Sequence, residues 1–198
     1  NWAKSYTVNI PVKPTDPNDL NYWVSGVYLA KLIGSSGKQS YAIFVLRDDT
    51  SRSDFLFQTS VTSYAVYNPW GGYSGYFSLA GDASVATKLS FNRPYADNDR
   101  AHSRKGAGQF LEWEVNMVRF LERQGYDVSY STNMDTHKSG AQLLNHRAFL
   151  SVGHDEYWTK QIYDNVQAAL ASGIHLAFFG ANTAYWQVRL EPSKLTGQ

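Results

Sequence analysis

Apolar and polar residues alternate at the start of the chain, and the rhythm changes near residue 54. Residues 5–10 (SYTVNI) and 26–32 (GVYLAKL) alternate, and 41–46 (YAIFVL) is a short apolar run, so each predicts a β-strand. The turn Gly34-Ser35-Ser36-Gly37-Lys38 predicts that the last two form a hairpin, and residues 14–19 (PTDPND) predict a loop. Further strands are expected at 55–58, 126–131, 148–152 and 174–179. A helix is expected over 112–124, with Val115, Val118 and Leu121 on one face and Gly125 closing it. A short helix over 139–146 and a longer one over 159–171, stopped by Ser172-Gly173, complete the pattern. Residues 60–94 read as a long loop dense in aromatics and glycine, and such an insert is usually functional.

Strands alternating with helices at this spacing predict an α/β fold: a doubly wound, mostly parallel sheet preceded by a small antiparallel β segment. Residues 1–50 would be a β segment completing a preceding β domain, and 51–198 the α/β domain. Ligands of open parallel sheets bind beyond the carboxyl ends of the strands. The residues that follow successive strands here are Thr59, Ser60 and Thr62; Thr132, Asn133 and Asp135; His154, Asp155 and Glu156; and Asn182 and Thr183. Four strands thus deliver polar groups to one edge.

Composition narrows the chemistry. The 198 residues can bury a core. The formal charge of +1, with no Lys/Arg block, argues against nucleic acid or an anionic membrane as partner. No apolar segment approaches the roughly 20 residues that span a bilayer. The start carries no charged-then-apolar leader, and the chain is expected to be part of something larger. Cysteine is absent, which removes disulfides, thiolate ligands and a cysteine nucleophile. No G-x-S-x-G motif surrounds the strand-turn-helix at 148–165, so serine-based acyl transfer is not expected there.

His154-Asp155-Glu156 has two readings. Asp155 could cap the following helix, with Glu156 at the positive end of its dipole; for Asp155 the capping role is preferred. Alternatively the histidine, the carboxylates and tyrosine form a hard oxygen and nitrogen ligand set suited to iron, manganese or zinc. The stretch from Tyr64 to Tyr76 holds four tyrosines in thirteen residues. They could pack a loop, stack on sugars, or ligate a trivalent iron as phenolates.

Seven motifs carry a family resemblance: SGVYLAKL (25–32), YAIFVLRDD (41–49), DFLFQTSVTSYAVYNPWGG (54–72), SFNRPY (90–95), MVRFLERQGYDVSYSTNMD (117–135), GHDEYW (153–158) and LAFFGANTAYWQVRLE (176–191). In this order they resemble the N,N-dimethylformamidase large (beta) subunit family. GHDEYW and FFGANTAYW are the most distinctive. The resemblance implies a sheet of class I glutamine-amidotransferase-like type that continues beyond Gln198, where a further acidic catalytic residue would lie. It implies a mononuclear iron (Fe3+) held by two tyrosines and a glutamate, hydrolysing a small amide.

On this sequence the glutamate falls on Glu156, and the active-site histidine and asparagine fall on His154 and Asn182. Tyr67 is the first candidate for the tyrosine ligands and Tyr28 the second, with Tyr64 and Tyr76 also open. Thr62, Tyr64 and Trp70 are candidate substrate-binding residues. Expected partners are a small amide and further domains of the same chain or another subunit. A true formamidase would be cytoplasmic, and part of a secreted multidomain protein extracellular. The alternatives are a non-catalytic module binding a glycan or a protein, and a related hydrolase using zinc.

Overall fold

A computed structural model of the protein describes residues 6–11, 16, 19, 21–193 and 197. Strands β1 (Gly26–Ile33) and β2 (Gln39–Leu46) form the expected antiparallel hairpin, with Ile33 paired to Gln39 across the turn. Gly37 turns at φ +78, which suits a residue lacking Cβ. Residues 6–11 carry no strand, so the strand expected over 5–10 is not formed there, and Ser5 lies outside the described residues. The loop expected at 14–19 also lies outside them, apart from Asp16 and Asp19.

Strand β3 (Phe55–Thr59) opens the α/β part, followed by helix α1 (Val61–Tyr67) inside the stretch expected as loop. The helix expected at 112–124 is two helices, α2 (Phe110–Trp113) and α3 (Val115–Gln124), meeting at Glu114. Gly125 closes α3 at φ +72, as its position predicts. Strand β4 (Val128–Thr132) leads directly into helix α4 (Asn133–Lys138), which the pattern did not predict. The short helix expected at 139–146 is a 3-10 turn, Ala141–Asn145. Then come strands β5 (Ala148–Gly153) and β6 (Tyr157–Thr159), helix α5 (Lys160–Ala171), and strands β7 (His175–Gly180) and β8 (Trp186–Val188).

Strands β3, β4, β5 and β7 form one parallel sheet in the order β4-β3-β5-β7. The four strands expected to share a sheet do so. Side chains alternate across it. Leu56 and Phe149 pack on one face against Ile162 and Val166 of α5. Phe57, Tyr130, Leu150 and Val152 pack on the other against Leu121 of α3. Val27 and Val45 of the hairpin join that second cluster, so β1 and β2 lie over the same face. Among the described residues no helix is long and apolar enough to cross a membrane.

The chain passes from β3 to β4 on one side and then to β5 on the other. The strand order therefore reverses between β3 and β5, and beyond the carboxyl ends at such a reversal open parallel sheets bind their ligands. Both ends carry the polar residues expected at this edge.

Candidate active site

The segment after β5 is fixed before any chemistry is considered. The Gly153, Asp155 and Glu156 carbonyls accept from the backbone N–H groups of Ala181, Ala184 and Trp186, and the Glu156 N–H donates to Ser63 Oγ at 3.0 Å. Gly153 has φ +83. A Cβ there would come within 2.8 Å of the Trp113 Cβ, so only glycine fits.

Asp155 is not a helix cap. The chain stays extended through β6, and Thr159 caps α5 by accepting from the Ile162 N–H. Asp155 instead points into the protein and is almost fully buried. It accepts from Gln58 Nε2 at 2.7 Å, Asn133 Nδ2 at 3.0 Å and Ser151 Oγ at 3.0 Å. Burial raises its pKa and these donors oppose the rise. Asp155 thus ties β3, β5 and α4 together beneath the site.

Glu156 turns the opposite way, with its side chain only 4% exposed. Tyr67, at the end of α1, donates its hydroxyl to Glu156 Oε2 at 3.0 Å. Tyr76 donates to Oε1 at 2.6 Å, and Tyr157 donates to the Tyr76 hydroxyl oxygen. The Tyr67 and Tyr76 rings stack with centroids 4.5 Å apart. Burial, then the neighbouring phenols and carboxylate, holds the Tyr67 and Tyr157 pKa values well above the usual tyrosine range. Burial, with Glu156 next, raises that of Tyr76. The three phenols are therefore protonated at neutral pH.

His154 completes the cluster. Its Nε2 lies 3.2 Å from Glu156 Oε2 and 3.3 Å from Asn182 Nδ2. Burial lowers the histidine pKa, Glu156 opposes this, and His102 adds to the lowering. With the proton on Nε2 the ring donates to Glu156; with it on Nδ1, Nε2 accepts from the Asn182 amide. Asn182 reaches this position through a left-handed backbone, φ +55, in the turn after β7.

The other sequence candidates divide. Thr62 is buried, donating to the Tyr157 carbonyl at 2.6 Å and accepting from Asn133, so it braces the wall. Tyr64 is buried inside α1 with its ring edge-on to Tyr95, away from any ligand surface. Trp70 is 40% exposed on the turn between Tyr67 and Tyr76. Tyr28 is not brought to Glu156: its hydroxyl donates to the Val24 carbonyl, and its ring stacks between Trp23 and Phe44 on the hairpin. Tyr76 pairs with Glu156 instead.

Sequence reasoning missed what holds Tyr76 in place. The Arg93 guanidinium donates to the carbonyls of Ala65, Asn68, Trp70 and Tyr73, and its Nε to that of Ser90. The Gly75 N–H donates to the Val66 carbonyl at 2.8 Å. Arg93 was legible only as one residue of SFNRPY, because its acceptors are all backbone oxygens.

The donors present fit a hard cation. Four oxygens, one from each of two phenols and two from one carboxylate, already converge, and the phenol protons occupy the ground between them. Phenolate and carboxylate oxygens suit ferric iron. Among the described residues no group of three or more His, Cys, Asp or Glu could hold a metal, so the set depends on tyrosine.

The family pattern described as N,N-dimethylformamidase beta subunit-like, C-terminal, matches residues 1–198. The N,N-dimethylformamidase beta subunit of an Alcaligenes species is 31% identical over 108 residues, which cover 53% of this chain and 14% of that protein. The beta subunit from Paracoccus aminophilus matches with the same identity and coverage. The aligned part is thus about one seventh of each relative's length.

Proposed function

The chain belongs to the N,N-dimethylformamidase beta subunit-like, C-terminal family, and from that premise we propose that it is the metal-holding part of a hydrolase cleaving the C–N bond of a small amide. The observation that carries this reading is the pairing of both Glu156 oxygens with Tyr67 and Tyr76 at the strand-order reversal. Glu156, Tyr67 and Tyr76 would hold a mononuclear ferric iron. Iron supplies Lewis-acid polarisation of a carbonyl and makes water acidic enough to react at neutral pH.

The chain's own residues supply the rest. His154, neutral at pH 7, takes a proton at Nε2 and is steadied by Asn182. The Asn182 Nδ2 group can turn from the ring to donate to an amide oxygen beside it. Tyr157 donates to Tyr76 and so fixes that phenol's orientation. The sheet order 4-3-5-7, with its site beyond the β3 and β5 ends, supports an amidotransferase-like architecture. Both relatives are named beta subunits, which supports assembly with another subunit or with further domains.

A second reading has its own observation. Trp70 and Tyr73 are exposed on the turn beside the site, 40% and 43%, which would suit a module that stacks on a glycan or protein. Metal analysis of the purified full-length protein, with an assay for amine release from small amides, decides between them. Iron at one per chain together with amine release supports the hydrolase. Absence of both hands the case to the binding module, and zinc in place of iron corrects the metal.

A further inference from the structure

Glu114 is a fully buried glutamate that the mechanism above does not use. It sits at the break between α2 and α3. None of the ion pairs among the described residues includes it. Its Oε1 accepts from the Ser60 N–H at 3.1 Å. Ser60 is the residue before α1, the helix that ends in Tyr67, and its hydroxyl faces the Val152 carbonyl of β5 at 3.4 Å. A Cβ on Gly153 would stand 3.1 Å from Glu114 Cγ, so the side chain also lies against the end of β5. From that end the chain runs on to His154 and Glu156.

We propose that Glu114 is a positioning residue, a buried acid that clamps the start of α1 to the end of β5 and so sets Tyr67 against Glu156. The proposal rests on the metal-site reading for its consequence, while its geometry stands alone. A carboxylate buried without a cation is costly, and a protein keeps one only where it serves something beyond packing. Leucine at this point would fill the space without holding the Ser60 N–H. That N–H is one of the donors a helix start leaves without an intrahelical acceptor.

The surroundings keep the group neutral. Tyr64, Tyr95, Asp155 and Ser60 act on it, and among the described residues no positive charge is paired with it. Burial pushes the carboxyl pKa up to about 8 and Asp155 adds to the rise, against the lowering by Tyr64 and Ser60. Glu114 Oε2 and the Tyr64 hydroxyl are both buried, and neither closes a hydrogen bond with a described residue.

The test uses Glu114→Gln, which keeps the shape and the acceptor, and Glu114→Ala, which removes the acceptor. Amide hydrogen exchange at Ser60 is read on metal-free protein, and iron affinity on the same samples. Glu114→Gln should keep Ser60 protected and hold iron affinity within about threefold, while Glu114→Ala should weaken iron about 10- to 100-fold, the range for groups that orient ligands. Ser60 exchange should rise at least about tenfold in Glu114→Ala as the amide loses its acceptor.

An infrared band of a protonated carboxyl, present in the parent protein at pH 7 and lost in Glu114→Gln, identifies the acid form. An alanine variant with protected Ser60 and full iron affinity overturns the proposal. So does a glutamine variant as impaired as alanine. Should Glu114→Ala fail to fold, Glu114→Asp, one methylene short of Ser60, takes its place. Should the parent protein bind no iron, the metal reading falls, and Ser60 exchange alone decides the clamp.

Discussion

Tyr67 and Tyr76 stack with their ring centroids 4.5 Å apart, and each donates a hydrogen bond to a different oxygen of Glu156. Two phenols and a carboxylate held this way are the set proposed above to bind iron, with hydrogen-bonding protons between their oxygens. Tyr67→Phe and Tyr76→Phe should each weaken iron binding by more than the roughly 10- to 100-fold typical of an outer residue. Tyr28→Phe should leave it unchanged, since that hydroxyl serves the Val24 carbonyl. Visible absorption from phenolate-to-iron charge transfer, followed during iron titration, reads all three.

Iron uptake should also depend steeply on pH. The phenols sit above their usual pKa, Tyr67 chiefly through burial. Binding must therefore expel protons that the metal-free protein holds tightly. Apparent affinity is expected to rise with pH across the neutral range, with proton release into weakly buffered solution. Calorimetry in two buffers of different ionisation enthalpy counts the protons. A count of zero would mean that the phenols are not ligands.

Arg93 should matter more than its place in a loop suggests. Its guanidinium serves four backbone carbonyls between Ala65 and Tyr73 and stands half-buried, with no carboxylate paired to it among the described residues. Arg93→Met keeps the stem and removes every donor. Stability should fall by about 2–4 kcal/mol, as for other buried donor networks. Iron affinity should fall as well, since the turn carrying Tyr76 loses its anchor. Arg93→Lys restores one contact at most and should recover little. Chemical denaturation and iron titration give both numbers.

Asp155→Asn is the corresponding test beneath the site. The carboxylate receives three donors, and an amide must turn an NH2 group toward at least one of them. A loss of about 2–4 kcal/mol is expected, with residual activity in the folded fraction. A purely catalytic Asp155 would lose activity without losing stability.

These residues show what the sequence could and could not disclose. Three of the four sheet strands are mainly apolar runs and β4 alternates as VSYST, and α3 repeats Val115, Val118 and Leu121 at helical spacing before Gly125. Both signals are local; the strands formed close to where they were expected, and the helix formed with a break at Glu114 that its spacing did not announce. Helix α1 was hidden because VTSYAVY is rich in β-branched and aromatic residues, and packing overrides their weak preference. SYTVNI alternates like a strand, yet alternation cannot supply a partner. Asp155 resembled a cap until the pairing of Tyr157–Thr159 with Trp186–Val188 kept the chain extended past it. Glu156, His154 and Asn182 were legible as groups at strand ends. Tyr67 was the first candidate and does meet Glu156, but that Tyr76 rather than Tyr28 joins it was not legible, because a turn gripped by Arg93 decides it from a distance.

The buried acid at Glu114 should leave a signature in the pH dependence of stability. In the unfolded chain it titrates near 4.5, and in the folded protein near 8. Between those values the folded state holds a proton that the unfolded state has released. The stability contributed by Glu114 is thus complete below about pH 4.5 and is lost as pH rises through about 8, at roughly 1.4 kcal/mol per pH unit. The raised pKa of Asp155 acts in the same direction. His146 and His154, both lowered by burial, act oppositely and cost stability as pH falls below about 6.5. Glu114→Gln removes only the first of these, leaving the others as an internal reference. Thermal unfolding of the variant should fall less steeply than that of the parent protein between pH 5 and 8, with the two closest at the acid end. Parallel curves across that window would mean that Glu114 is ionised in the folded protein.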